Sequence, residues 1–218
     1  MTNSKRHFHH FLLAASLFLT LAACSKDDDP IVAYRQDLAE LATDHNGRVA
    51  KLILDNADTL AVTNKEAITQ TLVPDTTYRV KAVFLKTRQE AEVVSLQTIF
   101  CMAPLAEKPA EMKVDAITAD AIWRSGRYLN LLVSFKTSGT EKHKILFVED
   151  GITTQADGSK LLHITLAHDR QNDGRTYTTR SYISCLLSGY NDLLTPGRDS
   201  VSIAVPTGNG FSIRHFAY

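Results

Sequence analysis

The stretch Tyr128-Leu129-Asn130-Leu131-Leu132-Val133-Ser134-Phe135-Lys136 sets Leu129, Leu131, Val133 and Phe135 at every second position. Side chains of an extended chain alternate between two faces, so this period predicts a strand with one face against a core. The flanking sequence repeats the signal. Upstream, Ile117–Trp123 runs into Arg124-Ser125-Gly126-Arg127, a turn whose glycine can take a positive φ. Downstream come Lys144–Glu149, Leu161–His168, Thr176–Leu187, Asp199–Val205 and Phe211–Tyr218. Asp150-Gly151, Asp157-Gly158, Asp173-Gly174, Tyr190–Gly197 and Pro206–Gly210 separate them. Seven short strands within residues 111–218 predict two packed antiparallel sheets, an immunoglobulin-like β-sandwich. The Cys…Trp…Cys spacing of antibody domains is missing.

Working back towards the N-terminus, Met102–Pro109 (MAPLAEKP) holds two prolines and little periodicity, so residues 104–110 read as a linker. Before it, residues 31–103 give five more strands. Asn46-Gly47 turns Tyr34–Thr43 back into Arg48–Leu54, and Thr59–Val62 follows. Asp37–Ala42 is rich enough in Ala, Leu and Glu to compete as a helix, but the Asn-Gly turn favours a strand. A helical turn with Asn64 as N-cap is expected over Asn64–Gln70. Tyr78–Leu85 then alternates Tyr78, Val80, Ala82 and Phe84 against Arg79, Lys81 and Val83, and Ala91–Phe100 returns. Five strands with a helical turn between the third and fourth match the order of an OB-like barrel. The fold class expected is therefore all-β, a small five-stranded barrel followed by a sandwich.

The first 23 residues have the zones of an export signal. Lys5 and Arg6 form a basic start, and Phe11–Leu21 is an apolar run shorter than the ~20 residues a membrane span needs. Leu21-Ala22-Ala23-Cys24 resembles a bacterial lipobox, which implies cleavage before Cys24 and acylation of its thiol. Each buried CH₂ of an acyl chain contributes ~0.8 kcal/mol, so a multiply acylated Cys24 would anchor the chain stably to a membrane. Ser25, Lys26, Asp27, Asp28 and Asp29, with Pro30, form a charged tether over residues 24–30. It is similar to the acidic signal that sends some lipoproteins to the outer face of the outer membrane; a plain spacer explains the same residues.

Charge and composition narrow the chemistry. Lys5 and Arg6 are the signal's only charged residues, which leaves 22 Lys+Arg against 24 Asp+Glu beyond it. Residues 31–105 carry eight basic and nine acidic residues, so the barrel lacks the basic groove of a nucleic-acid binder. Apart from Cys24 there are two cysteines, Cys101 and Cys185, too far apart in sequence for a usual zinc site and expected to stay free thiols. Asp169–Gly174 opens like a calcium loop, but its twelfth position is Arg180 where a bidentate Glu is required. His45, His143, His163, His168 and His215 show no metalloprotease spacing, and no Gly-x-Ser-x-Gly elbow exists. The sequence thus predicts no catalytic residue, no metal and no cofactor. Trp123, the sole tryptophan, stands with Arg124, Arg127 and Tyr128 around one turn. Trp, Tyr and Arg dominate contact hot spots, so this turn is the candidate interaction surface, with Asp169–Arg175 as a second loop. A core position for Trp123 and an ordinary charged turn explain the same residues.

The chain resembles the NigD-like lipoproteins. The likeness rests on the lipobox, on Lys51-Leu52-Ile53-Leu54-Asp55, on Trp123-Arg124-Ser125-Gly126-Arg127-Tyr128-Leu129-Asn130, and on Ser181-Tyr182-Ile183-Ser184 leading to Asp199-Ser200-Val201-Ser202-Ile203. It implies the same architecture, a barrel followed by a sandwich. The family name is similar to that of a product of a bacteriocin-linked operon, which implies an accessory or protection role. The functional expectation is a lipid-anchored surface protein that binds a protein or glycan partner without catalysis. The rival is a hydrolase or metal-dependent enzyme whose residues converge only in space: at least two of His143, His163, His168 and His215, or one His with Ser and Asp, sharing a pocket.

Overall fold

The structure, a computed structural model, describes residues 34–69 and 71–218. The expected signal (1–23), the lipidation site Cys24 and the tether residues Ser25, Lys26, Asp27, Asp28 and Asp29 lie outside the described residues.

Five strands close a barrel: β1 (Tyr34–Thr43), β2 (Val49–Leu54), β3 (Thr59–Val62), β4 (Thr77–Thr87) and β5 (Glu90–Thr98), in the order β1-β2-β3-β5-β4. Alternation places Leu41, Leu52, Leu60, Val80, Phe84 and Ala91 inside, all essentially inaccessible to water. The Asp37–Ala42 stretch is strand throughout, because Ala39 and Leu41 fill the barrel while β2 and β4 pair with its backbone on either side. The expected helical turn shrinks to a single 3₁₀ turn, Lys65–Ala67. Asn64 does not cap it. Its amide instead donates to Val93 O at 2.7 Å and accepts from Val93 N–H at 2.9 Å, fastening the turn to β5.

The second half is a sandwich of β6 (Phe100–Met102), β7 (Thr118–Ser125), β8 (Tyr128–Thr137), β9 (Lys144–Thr154), β10 (Lys160–Asp169), β11 (Tyr177–Leu186), β12 (Ser200–Thr207) and β13 (Gly210–Ala217). One sheet runs β13-β12-β10-β9 and the other β6-β11-β8-β7. Leu129, Leu131, Val133, Phe147, Leu162, Ile164, Ile183 and Val201 interdigitate between them.

Four details depart from the sequence reading. The sheets are not wholly antiparallel, since β10 pairs with β12 and β11 with β6 in parallel. Residues 100–102, read as the end of the barrel, are the edge strand of a sandwich sheet. Within the expected linker, Leu105 donates to Phe147 O and accepts from Glu149 N–H, each at 2.8 Å, so that segment is bound to β9. Asp150-Gly151 does not end β9: the pairing steps from Glu149 to Gly151, leaving Asp150 as the extra residue of a bulge beside Gly151 at φ +109°.

Candidate functional site

The Trp123–Tyr128 turn is where sandwich meets barrel. Gly126 sits at φ +52°, and a Cβ there would lie 2.6 Å from Asp55 O, so only glycine lets the turn approach β2's end this closely. Behind it is a polar seam. Arg79 and Glu40 are register partners on β4 and β1, side by side on the barrel's outer face. Asn130 and Ser184 are partners on β8 and β11, between inward-facing leucines, isoleucine and cysteine.

Across the seam, Arg79 donates from Nη1 and Nη2 to the two Asp55 oxygens at 2.5 and 2.8 Å. It also donates from Nη2 to Asn130 Oδ1 at 3.0 Å and from Nε to Ser184 Oγ at 3.3 Å. Ser184 Oγ–H donates to Asn130 Oδ1 at 2.7 Å, Asn130 Nδ2–H to Ser125 Oγ at 2.8 Å, and Ser125 Oγ–H to Asp55. The circuit closes with the Arg79 charge balanced by Asp55, as a buried ion must be. Arg79 is 4% exposed although its strand position reads as solvent-facing. Its guanidinium lies 3.8 Å from the Tyr128 ring centroid.

The same seam absorbs part of the candidate surface. Arg127 holds Glu40 with two bonds of 2.9 and 2.7 Å, and Tyr128 O–H donates to Glu40 at 2.9 Å. Burial, followed by the Glu40 carboxylate, raises the Tyr128 phenol to about 12. Tyr128 is buried, and Arg127, although half-exposed, is engaged within the chain. Arg124 lies 5.1 Å from the Tyr218 ring centroid. Trp123 is different. It is half-buried, edge-on to Tyr182 at 6.4 Å, in a cleft of about 630 Å³ between barrel and sandwich. Arg35, Asp37, Asn56 and Lys81 complete its walls. Of the four predicted residues, Trp123 is the one that lines this open cleft.

The second predicted loop turns inward. Asp169 accepts from Gln171 N–H and Nε2–H at 2.8 and 2.7 Å. Asp173 is buried and collects donors from Thr137, Ser138 and Thr140 hydroxyls and from Ser138 N–H at 2.9 Å. The Ser138 and Thr137 donors hold its carboxyl far below the usual carboxylate range. Two loops, 138–143 and 170–176, are thereby laced together.

On the far side of Asp173 stand two histidines. His143 Nε2 is 3.2 Å from Asp173 Oδ2, His143 Nδ1 is 2.9 Å from His168 Nε2, and His168 Nδ1 is 3.2 Å from Asp115 O. His163 lies between Thr153 and Ser202 on the other face of β10, while His45 and His215 are exposed. The sequence reading allowed two of the histidines to converge without saying which. The β9–β10 hairpin brings His143 and His168 together, and counting back from Asp157-Gly158 would have placed position 143 near 170.

His143, Ser138 and Asp173 thus share one place, the condition set for a catalytic reading. The connectivity is not that of a nucleophile with its base. Ser138 Oγ–H is directed to Asp173, and each ring nitrogen of His143 and His168 already faces a protein atom. A base must offer a lone pair to the nucleophile's proton. Among the described residues no group of three or more His, Cys, Asp or Glu side chains is placed to hold a metal ion.

The family model of the NigD-like C-terminal beta sandwich domain matches residues 101–214. The chain belongs to the NigD-like family. The match opens inside β6, where the chain enters the sandwich. Among solved structures, a NigD-like immunity protein from Bacteroides caccae is similar at 23% identity and TM-score 0.62, over 84% of this chain and 91% of that one. A putative toxin related protein from Parabacteroides distasonis gives 16% and 0.65, over 85% and 93%. A protein of unknown function from Bacteroides vulgatus gives 16% and 0.62, over 84% and 91%. These likenesses show that the barrel-plus-sandwich fold of the NigD-like chain recurs. No curated protein matches the chain.

Proposed function

We propose that this NigD-like chain is a lipid-anchored envelope protein that binds a protein or glycan partner and performs no chemistry on it. The observation that carries the reading is the cleft at Trp123. Its walls offer two aromatic rings, Trp123 and Tyr182, beside the charged Arg35, Lys81 and Asp37 and the amide of Asn56. Aromatic and arginine side chains around a concave seat suit recognition of a peptide or sugar surface. The internal bonding of the histidine pair supports a non-catalytic role. The lipobox-like Leu21–Cys24 and the acidic residues after it support membrane attachment and surface display.

The test has two parts. Cys24→Ser should shift the protein from the membrane fraction to the soluble one; full retention would refute the anchor. A partner captured from envelope extract by the wild type should bind Trp123→Ala at least about tenfold more weakly, about 1.4 kcal/mol. Equal affinity would remove the cleft from the reading. The names of the B. caccae immunity protein and the P. distasonis toxin related protein make toxin polypeptides partners to include.

A further inference from the structure

The order Asp173–His143–His168–Asp115 can be counted in protons. Its two ends are a carboxylate and a main-chain carbonyl, and both can only accept. Three links join them, at 3.2, 2.9 and 3.2 Å. Each needs one hydrogen between its heavy atoms; a link without one would set two lone pairs against each other. Two neutral imidazoles bring only two N–H groups to their four nitrogens. Three links therefore require a third proton.

We propose that His143 and His168 together form a buried one-proton site, with the extra proton on His143 beside Asp173 and His168 neutral with its hydrogen on Nδ1. His143 then donates from Nε2 to Asp173 and from Nδ1 to His168 Nε2, and His168 Nδ1–H donates to Asp115 O. The placement follows from the surroundings. Asp173 is ionised by the hydroxyl and N–H donors that converge on it, and with its side chain fully buried it is the anion in direct contact with a ring. His168 meets only a neutral carbonyl on its far side. Burial, with His143 beside it, lowers His168 below the ordinary histidine value, opposing a second proton there.

The other charged groups near the pair are peripheral. Asp115 directs its carboxylate to Arg170 N–H at 3.0 Å, and Arg170 donates from Nη1 to Asp173 O at 2.9 Å. Glu141, Lys142 and Lys144 border the cleft on the His143 side, and Lys136 and Arg175 the cleft on the His168 side, all five exposed. Lys113 reaches Asn172 on the loop beyond. Phe135, with ring centroids 4.6 and 5.4 Å from the two imidazoles, keeps water from the middle link.

The consequence is a stability optimum set by the pair. Unfolded, two independent imidazoles near pH ~6.5 share about one proton on average at that pH. Folded, the pair keeps one. Above this pH the unfolded chain holds fewer protons than the native one, so stability falls as pH rises. Below it the unfolded chain binds a second proton that His168 resists, so stability falls as pH falls. Either arm changes the unfolding equilibrium by up to about tenfold per pH unit. The elements tied are the strap at Asp115, the end of β10 and the two loops laced by Asp173, so loss of the proton loosens those loops first.

Histidine ring ¹⁵N NMR on the purified full chain tests the site directly. At pH 7.5, His143 should show two protonated ring nitrogens and His168 a single protonated Nδ1. Two neutral rings would overturn the proposal. Urea unfolding from pH 5 to 9 gives a second readout: His143→Gln should flatten the high-pH arm. Parallel profiles for wild type and variant would count against the site, and should the variant fail to fold, the NMR result on the wild type decides.

Discussion

Arg79 of β4 donates its Nη2–H to Asn130 Oδ1 of β8 at 3.0 Å, a bond that crosses from barrel to sandwich with both side chains buried. The two modules are therefore joined by desolvated polar atoms that depend on each other for partners. An apolar contact could slip; a closed circuit of bonds to one guanidinium fixes the approach of the two modules.

The first prediction follows from that circuit. Arg79→Met would leave Asp55 charged and the Asn130 and Ser184 oxygens short of a donor in a buried place. Removing one partner of a buried pair costs about 3–5 kcal/mol. Urea unfolding should show a loss of that order. Adding Asp55→Asn to Arg79→Met should cost less than the sum of the single changes, because the stranded charge is gone. Strict additivity would mean that the two residues act independently.

The second concerns alkaline pH. Tyr128 is raised to about 12 by burial and by Glu40, whereas an unfolded tyrosine ionises near ~10. Between these values the unfolded chain loses a proton that the folded one keeps, so stability falls as pH rises from about 10 towards about 12. Tyr128→Phe should remove that part of the slope. The check is unfolding followed at several pH values between 9 and 11.5; an unchanged slope in the variant would show that Tyr128 does not set it.

The third concerns the thiols. Cys101 pairs in register with Ser184, and Cys185 with Met102, on the parallel strands β6 and β11. Registered neighbours share a face, so Cys101 lies on the Ser184 side towards the barrel while Cys185 joins the sandwich core. Adjacent strands thus aim the two sulfurs to opposite faces, and no disulfide should form. Burial raises both thiols, most strongly Cys185. Iodoacetamide should modify native Cys101 slowly and Cys185 not at all, and the oxidised and reduced proteins should have equal mass. A mass lower by two hydrogens would contradict the geometry.

How legible the fold was depended on whether the deciding interaction was local. Period-two alternation and Asn-Gly or Asp-Gly turns mark both β modules because they act within one strand or hairpin. Arg79 alternates with Val80 and reads as solvent-facing; only the second module, docked over it, makes that position buried. Asn130 and Ser184 carry the same ambiguity, being polar residues on a sheet face that another module covers. Tyr128 and Arg127 were recognised as contact residues, but their partner Glu40 lies 87 positions from Arg127 within the same chain. β6 is only three residues long, too short to show a period, and its parallel partner lies far downstream.

The last prediction tests where the sandwich begins. A fragment starting at Glu107 omits β6 and Leu105, leaving β11 with an open edge and β9 without the two Leu105 bonds. A fragment starting at Phe100 keeps both. Exposing an edge and losing several backbone bonds should cost at least about 1 kcal/mol, and for a domain of this size each kcal/mol lowers Tm by about 4–8 °C. The fragment 100–218 should therefore melt cooperatively and several degrees above 107–218. Neither should reach the whole chain, since both leave Asn130, Ser184 and Tyr128 without Arg79 and Glu40. Calorimetry on the three proteins gives the comparison. Equal melting of the two fragments would return residues 100–106 to the role of a simple connection, and a fragment as stable as the whole chain would mean that the Arg79 circuit contributes nothing to the sandwich.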